Sequence, residues 1–101
     1  MATLEKQAGR PIKPLSEEAL KGDLVPRGHP LFGLIWINPQ RLGGMPCFAG
    51  TRVPIKNLFD YLESGHALDK FLKDFEGVAR EQAVGVIDLA QTGLLAELPK
   101  P

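Results

Sequence analysis

Hydrophobic and polar positions change period twice along the chain. Residues 31–37, Leu-Phe-Gly-Leu-Ile-Trp-Ile, form a short apolar run rich in β-branched and aromatic side chains, closed by Asn38-Pro39. That composition predicts a strand. Gly43-Gly44 predicts a turn, and Met45 to Val53 reads as extended again, with Gly50 at a bulge. A two-stranded unit of this kind is marginal in water, so helices or a second copy must cover its apolar face. After Pro54, well suited to the first position of a helix, the period becomes helical. Ile55, Leu58, Phe59 and Leu62 share one face, and Gly65 ends the segment. Leu68, Phe71, Leu72 and Phe75 repeat the spacing in a second short helix closed by Gly77. Ala83, Val84, Ile87 and Ala90 line a third, which Gly93 is expected to end. The connections are a few residues long.

The first thirty residues are patterned differently. Pro11, Pro14, Pro26 and Pro30 punctuate them, and Gly9, Gly22 and Gly28 loosen them. Ser16 to Lys21 can form one or two helical turns, with Ser16 as N-cap and Gly22 as stop. The expected organisation is therefore an N-terminal arm, partly extended, over 1–34, a hairpin plus three-helix domain over 35–93, and a C-terminal tail over 94–101. The fold class is mainly α with a short β-hairpin. Three short helices with tight turns have the outline of a homeodomain-like, helix-turn-helix unit. The same spacing also suits a three-helix core with no nucleic-acid role.

At 101 residues the chain has room for one domain and a modest core, which oligomerisation would reinforce. No apolar run approaches the roughly 20 residues of a membrane span, and the N-terminus carries charges and prolines where a secretory signal would be hydrophobic. Cys47 is the only cysteine, so an internal disulfide is excluded, and a reducing cytoplasm is the natural setting. His29 and His66 stand apart without neighbouring ligand types and read as surface or turn residues; no metal site, cofactor or catalytic group is expected.

The distinctive stretch is Gly44-Met45-Pro46-Cys47-Phe48-Ala49-Gly50-Thr51-Arg52-Val53-Pro54-Ile55. It is followed by Leu58-Phe59-Asp60-Tyr61-Leu62-Glu63-Ser64-Gly65, then by Leu68 to Phe75 and by Arg80-Glu81-Gln82-Ala83-Val84. This pattern, over residues 35–92, closely resembles the small bacterial family catalogued as domain of unknown function 433. The resemblance implies a short β-hairpin leading into a homeodomain-like helical domain, often dimeric. It also implies an antitoxin role similar to the VapB type: blocking a PIN-like nuclease toxin encoded nearby, and binding the operon's own DNA. The chain departs from the family pattern at Ala67 and Ala79, where Ser or Thr is common, and at Glu76, where Pro is common. The two alanines remove N-cap side chains at a cost of about 0.5–2 kcal/mol each. Gly85 inside the third helix costs roughly 1 kcal/mol relative to Ala.

Charge decides how far the DNA reading extends. The net charge is zero, yet residues 1–60 hold eight Lys/Arg against five Asp/Glu (8 − 5 = +3), and residues 61–101 hold four against seven (4 − 7 = −3). A recognition helix would offer Arg80 to guanine and Gln82 to adenine, but from the acidic half, and DNA affinity rests on neutralising phosphates. Arg52 and Lys56 beside the hairpin supply basic groups, with Lys13, Lys21, Arg27 and Arg41 behind them. Arg52 can equally pair with a carboxylate of its own chain. Leu31, Phe32 and Trp36 are apolar enough to anchor a protein partner, with hairpin core or dimer interface as the other role for them. The expectation is a cytoplasmic, non-catalytic, homodimeric adaptor that binds a PIN-like toxin and, in a second role, operator DNA. The alternative is a structural dimeric interaction module without DNA binding.

Overall fold

The structure is a computed structural model that describes residues 15–100. Residues 1–14 of the expected arm, Lys13 among them, lie outside the described residues. The remainder is mainly helical with one small antiparallel hairpin. In chain order it runs α1 (Glu17–Leu20), β1 (Ile35–Trp36), a 3-10 turn (Leu42–Gly44), β2 (Cys47–Phe48), α2 (Ile55–Glu63), α3 (Leu68–Asp74) and α4 (Arg80–Glu97).

The strands are shorter than their composition suggests. Only Ile35 and Trp36 pair, with Phe48 and Cys47 respectively. Residues 31–34 instead curl into a turn, because the Leu34 and Ile35 amides both donate to the Leu31 carbonyl, at 3.0 and 3.1 Å. The second strand folds back on itself at once. The Phe48 amide donates to Val53 at 2.9 Å and the Ile55 amide to Pro46 at 3.0 Å, closing a tight loop over 48–53. Gly50 occupies that loop with φ +83°, a conformation that disfavours a Cβ. Thr51 stiffens it: its hydroxyl donates to the Phe48 carbonyl at 2.8 Å and accepts from the Val53 amide at 3.0 Å.

α2 and α3 bury the faces their periodicity predicts; α4 does not, since of Ala83, Val84, Ile87 and Ala90 only Ala83 is buried, Val84 and Ala90 are exposed, and Gln82 and Val86 turn inward instead. Phe48 and Leu58 from the hairpin and α2, Phe71 and Leu72 from α3, Val78 from the turn, and Ala83 and Val86 from α4 form one core with Ile35. Aromatic rings hold its centre, with Phe71 5.8 Å from Phe48, 5.5 Å from Tyr61 and 4.9 Å from Phe75 between centroids. Gly65, at φ +89°, ends α2 as expected. Gly93 does not end α4. It keeps negative φ, and the helix continues to Glu97, so the first half of the expected tail over 94–101 is a helical extension. Gly85 has a packing role rather than only a propensity cost: a Cβ there would lie 3.0 Å from Cδ2 and 3.2 Å from Cδ1 of Leu34.

The described part of the arm is fastened to the domain. Ser16 caps α1 by accepting from the Ala19 amide at 3.1 Å. Val25 is buried, and the Leu24 amide donates to the Ile37 carbonyl at 2.8 Å, extending the outer edge of β1. Residues 15–34 thus form a strap across the hairpin.

Candidate interaction site

Gln82 is the third residue of α4, where a glutamine can fold back on the helix start. Ala79, at the N-cap, has no side-chain acceptor to offer. Gln82 Oε1 takes over half of the missing cap, accepting from the Ala79 amide at 3.0 Å. Its Nε2 donates to the carbonyls of Ala49 at 2.9 Å and Gly33 at 3.0 Å. The residue is 2% exposed. The expectation that Gln82 reads a base edge is therefore corrected. The side chain points into the protein and its amide is committed to three backbone groups.

The other basic candidates are on the surface but partly neutralised. Arg80 ion-pairs with Asp69 of α3. Lys56 reaches Asp60 one turn along α2 at 2.8 Å, and that carboxylate holds its ammonium pKa above the usual lysine value. Arg52 is exposed. The positive charges of Arg41 and Arg52 both act on Cys47, whose thiol is nonetheless pushed up because burial outweighs them. The two guanidinium groups thus flank the hairpin.

Leu31, Phe32 and Trp36 are all half-buried. Leu31 packs on the rim of the core. Phe32 lies under the Arg27 guanidinium, 5.4 Å from its ring centroid. Trp36 Nε1 donates to the Thr51 carbonyl at 2.7 Å, and the Arg41 guanidinium stacks 3.6 Å above its ring. Arg41 in turn ion-pairs with Asp23 of the strap at 3.2 Å, their side chains being 10% and 1% exposed. Asp23 also accepts from the Val25 and Ile37 amides at 3.0 and 3.2 Å. Asp23, Arg41 and Trp36 therefore form one intramolecular clasp. Arg41 Nη1 is buried there without a hydrogen-bond partner among the described residues.

Both histidines serve turns. His29 Nδ1 accepts from the Leu31 amide at 3.0 Å, and the His66 ring packs on Tyr61 at 5.3 Å. Tyr61 donates to Asp74 at 2.7 Å, and Lys70 donates to the same carboxylate at 2.9 Å. Among the described residues, no group of three or more His, Cys, Asp or Glu could hold a metal ion, and no helix is long and apolar enough to cross a membrane.

Residues 35–90 match the family described as "Protein of unknown function (DUF433)". The chain belongs to this family. No curated protein and no solved structure matches the chain. The family match takes in the hairpin, α2, α3 and the first eleven residues of α4; the strap over 15–34 and the end of α4 lie outside it.

That end of α4 is the surface the sequence reading missed. Beyond Ile87 every residue to Lys100 is exposed, and Leu94, Leu95 and Leu98 stand 63%, 55% and 49% open. Val84, 48% exposed, shares their stripe at helical spacing, while Ile87 at its inner edge is half-buried and packs against the core. The signal was present in the sequence: Ile87 to Leu94 and Val84 to Leu98 are separated by one and two heptads. Reading Gly93 as a stop hid it.

Proposed function

We propose that this member of the family is a non-catalytic, protein-binding adaptor of the antitoxin kind. In this reading it captures a PIN-like nuclease toxin in the cytoplasm and acts as a homodimer. The observation that carries the protein-binding reading is the distal half of α4. A helix of about ten residues with no buried side chain is marginal in water, and leucines this exposed mark surface that another protein covers.

Operator DNA is the second partner, bound through α3, the turn over 75–79 and α4 read as a homeodomain-like helix-turn-helix. Exposed Arg52 and Lys56 favour this role. The burial of Gln82 and the pairing of Arg80 with Asp69 favour the alternative, a dimeric interaction module without DNA binding. A dimer doubles the basic groups beside the hairpin, so DNA affinity would belong to the assembly.

The reading requires a PIN-like nuclease gene beside this one, and the test is RNA cleavage by that purified nuclease, with and without the chain added. Loss of cleavage near equimolar ratio, with co-elution of the two proteins, is the expected result. Undiminished cleavage with separate elution would overturn the antitoxin reading. Binding of the chain, and of its complex, to a labelled upstream DNA fragment at two salt concentrations then separates the two versions. Selective, salt-sensitive binding supports the DNA role, and its absence in both preparations leaves the interaction module.

A further inference from the structure

Residues 21–25 of the strap touch the hairpin chiefly through their main chain. The Lys21 carbonyl accepts from Asn38 Nδ2 at 2.9 Å, and the Leu24 amide donates to the Ile37 carbonyl at 2.8 Å. Between them Asp23 supplies a carboxylate to the Ile37 amide and the Arg41 guanidinium. Val25 supplies a buried apolar side chain. Gly22, at φ +81°, lies so close that a Cβ would stand 3.3 Å from Asn38 Nδ2. The receiving groove is therefore the outer edge of β1 and the residues after it, Ile37, Asn38 and Arg41, with the Trp36 ring behind the guanidinium. Backbone bonds make no demand on side chains, so the groove asks of its occupant a glycine, then an aspartate, then an apolar group two residues on.

Two observations mark the strap as a replaceable occupant. It satisfies the groove incompletely. Asp23 Oδ1 is spent on the Val25 and Ile37 amides, Oδ2 makes a single 3.2 Å contact with Arg41 Nη2, and Nη1 stays buried without a partner among the described residues. A guanidinium holds carboxylates best through two nitrogens at once. Its departure also leaves the core intact. From residue 15 to residue 30 only Val25 is buried, and it lies outside the cluster around Phe48, Leu58 and Phe71. α1 buries nothing, and the family match begins at residue 35, past the strap.

We propose that this groove is a recognition site for a short acidic segment of a partner protein, and that Asp23-Leu24-Val25 fills it in cis in the resting chain. The incoming segment bonds its backbone to Ile37, sets an aspartate where Asp23 stands and buries an apolar side chain two residues on. A second carboxylate in that segment supplies the acceptor that Arg41 Nη1 lacks. Exposed Arg52, which makes no ion pair among the described residues, flanks the same hairpin and draws acidic segments towards it. The groove uses no residue of α4, so it is a second protein-binding surface and does not depend on nuclease capture. Because the strap is tethered, it competes at an effective concentration of about millimolar. A partner must therefore offer more than the strap's own contacts, which makes the strap a threshold against weak ligands.

The probe is a blocked peptide, Gly-Asp-Leu-Val-Pro, added to the full chain, with Gly-Asn-Leu-Val-Pro as control. Amide hydrogen exchange read by NMR locates it. At millimolar acidic peptide the Leu24 and Val25 amides of the wild-type chain lose protection, while the Ile37 amide keeps it because the peptide's aspartate replaces Asp23. Asp23→Asn retains an acceptor for both amides and removes the charge that faces Arg41. It should bind the acidic peptide about tenfold more tightly than wild type does. The asparagine peptide should bind neither chain. If Asp23→Asn does not fold, the exchange pattern of the wild type decides alone. Unchanged protection at Leu24 and Val25 overturns the proposal. So does equal binding of the two peptides, or a folded Asp23→Asn that binds the acidic peptide no better than wild type. Peptide binding by a chain that leaves the nuclease active defeats only the antitoxin reading, and the reverse pair of results defeats only this inference.

Discussion

Replacing Gln82 by alanine removes one amide and strands three backbone groups. The Ala79 amide loses its acceptor, and the Ala49 and Gly33 carbonyls lose their donor. A buried polar group left without a partner costs about 1–3 kcal/mol. The Ala79 and Ala49 bonds are buried and the Gly33 bond only partly so, which gives a loss of about 3–5 kcal/mol. A domain of this length has a total stability of about 5–15 kcal/mol, so Gln82→Ala is expected to stand near the edge of folding. Urea unfolding followed by fluorescence suits the measurement, because Trp36 is the only tryptophan and lies against the hairpin that Gln82 holds. With a slope of ~1–2 kcal/mol/M the midpoint should fall by about 1.5–5 M. Gln82→Glu is the sharper control. It keeps the acceptor for Ala79 but turns a carboxylate towards two carbonyls, so it should be worse than alanine at neutral pH. Burial and the facing carbonyls raise the folded pKa of that carboxyl, so its penalty shrinks as pH falls through the raised value. A Gln82→Ala protein within ~1 kcal/mol of wild type would refute the assignment of this residue as a structural cap and return it to the solvent-facing candidates.

The clasp and the aromatic edge give two further expectations. Asp23→Ala leaves Arg41 buried without its counter-ion and two amides without an acceptor, and should cost about 3–5 kcal/mol in thermal or urea unfolding. A loss below ~1 kcal/mol would mean that the strap is not held by this pair. Tyr61 is the only tyrosine, and its phenol pKa is raised chiefly because its hydroxyl donates a hydrogen bond to Asp74. Its stabilising contribution is therefore fully present below the unfolded value of about 10 and is lost as pH rises through the folded one. Tyrosinate absorbance should titrate late in wild type and return towards that value in Asp74→Asn. The Asp74 carboxyl is held below its usual range by Lys70 first and Tyr61 second, so its own contribution persists above the ordinary carboxylate value and fades as pH falls through the lowered one.

Local signals carried well where a single residue decides a local geometry. Ser16 caps the helix it was expected to cap, Gly65 stops α2, and the apolar spacing of α2 and α3 gives their buried faces. Reading failed where a distant group decides. Leu31 to Leu34 have strand composition, but the turn at Gly33 brings that glycine's carbonyl to Gln82, nearly fifty residues away. The direction of Gln82 itself could not be read from a helix-turn-helix outline, since its partners come from the hairpin. Gly93 has the identity of a stop signal, yet a helical glycine costs only about 1 kcal/mol, and the helix runs through it to Glu97. The fastening of residues 15–34 was not legible because its anchors, Asp23 and Val25, mean little until Arg41 is in place.

The two bonds from Gln82 to Gly33 and Ala49 span 49 and 33 residues. They set an order of assembly. The hairpin has two residues in each strand, too few to persist alone, and two of its carbonyls wait for a side chain that leaves the ribosome long after they do. Until α4 arrives, the first half of the domain has no finished state to rest in. Folding should therefore be all-or-none and wait for the start of α4 to emerge, with the preceding portion open to chaperones and proteases until then.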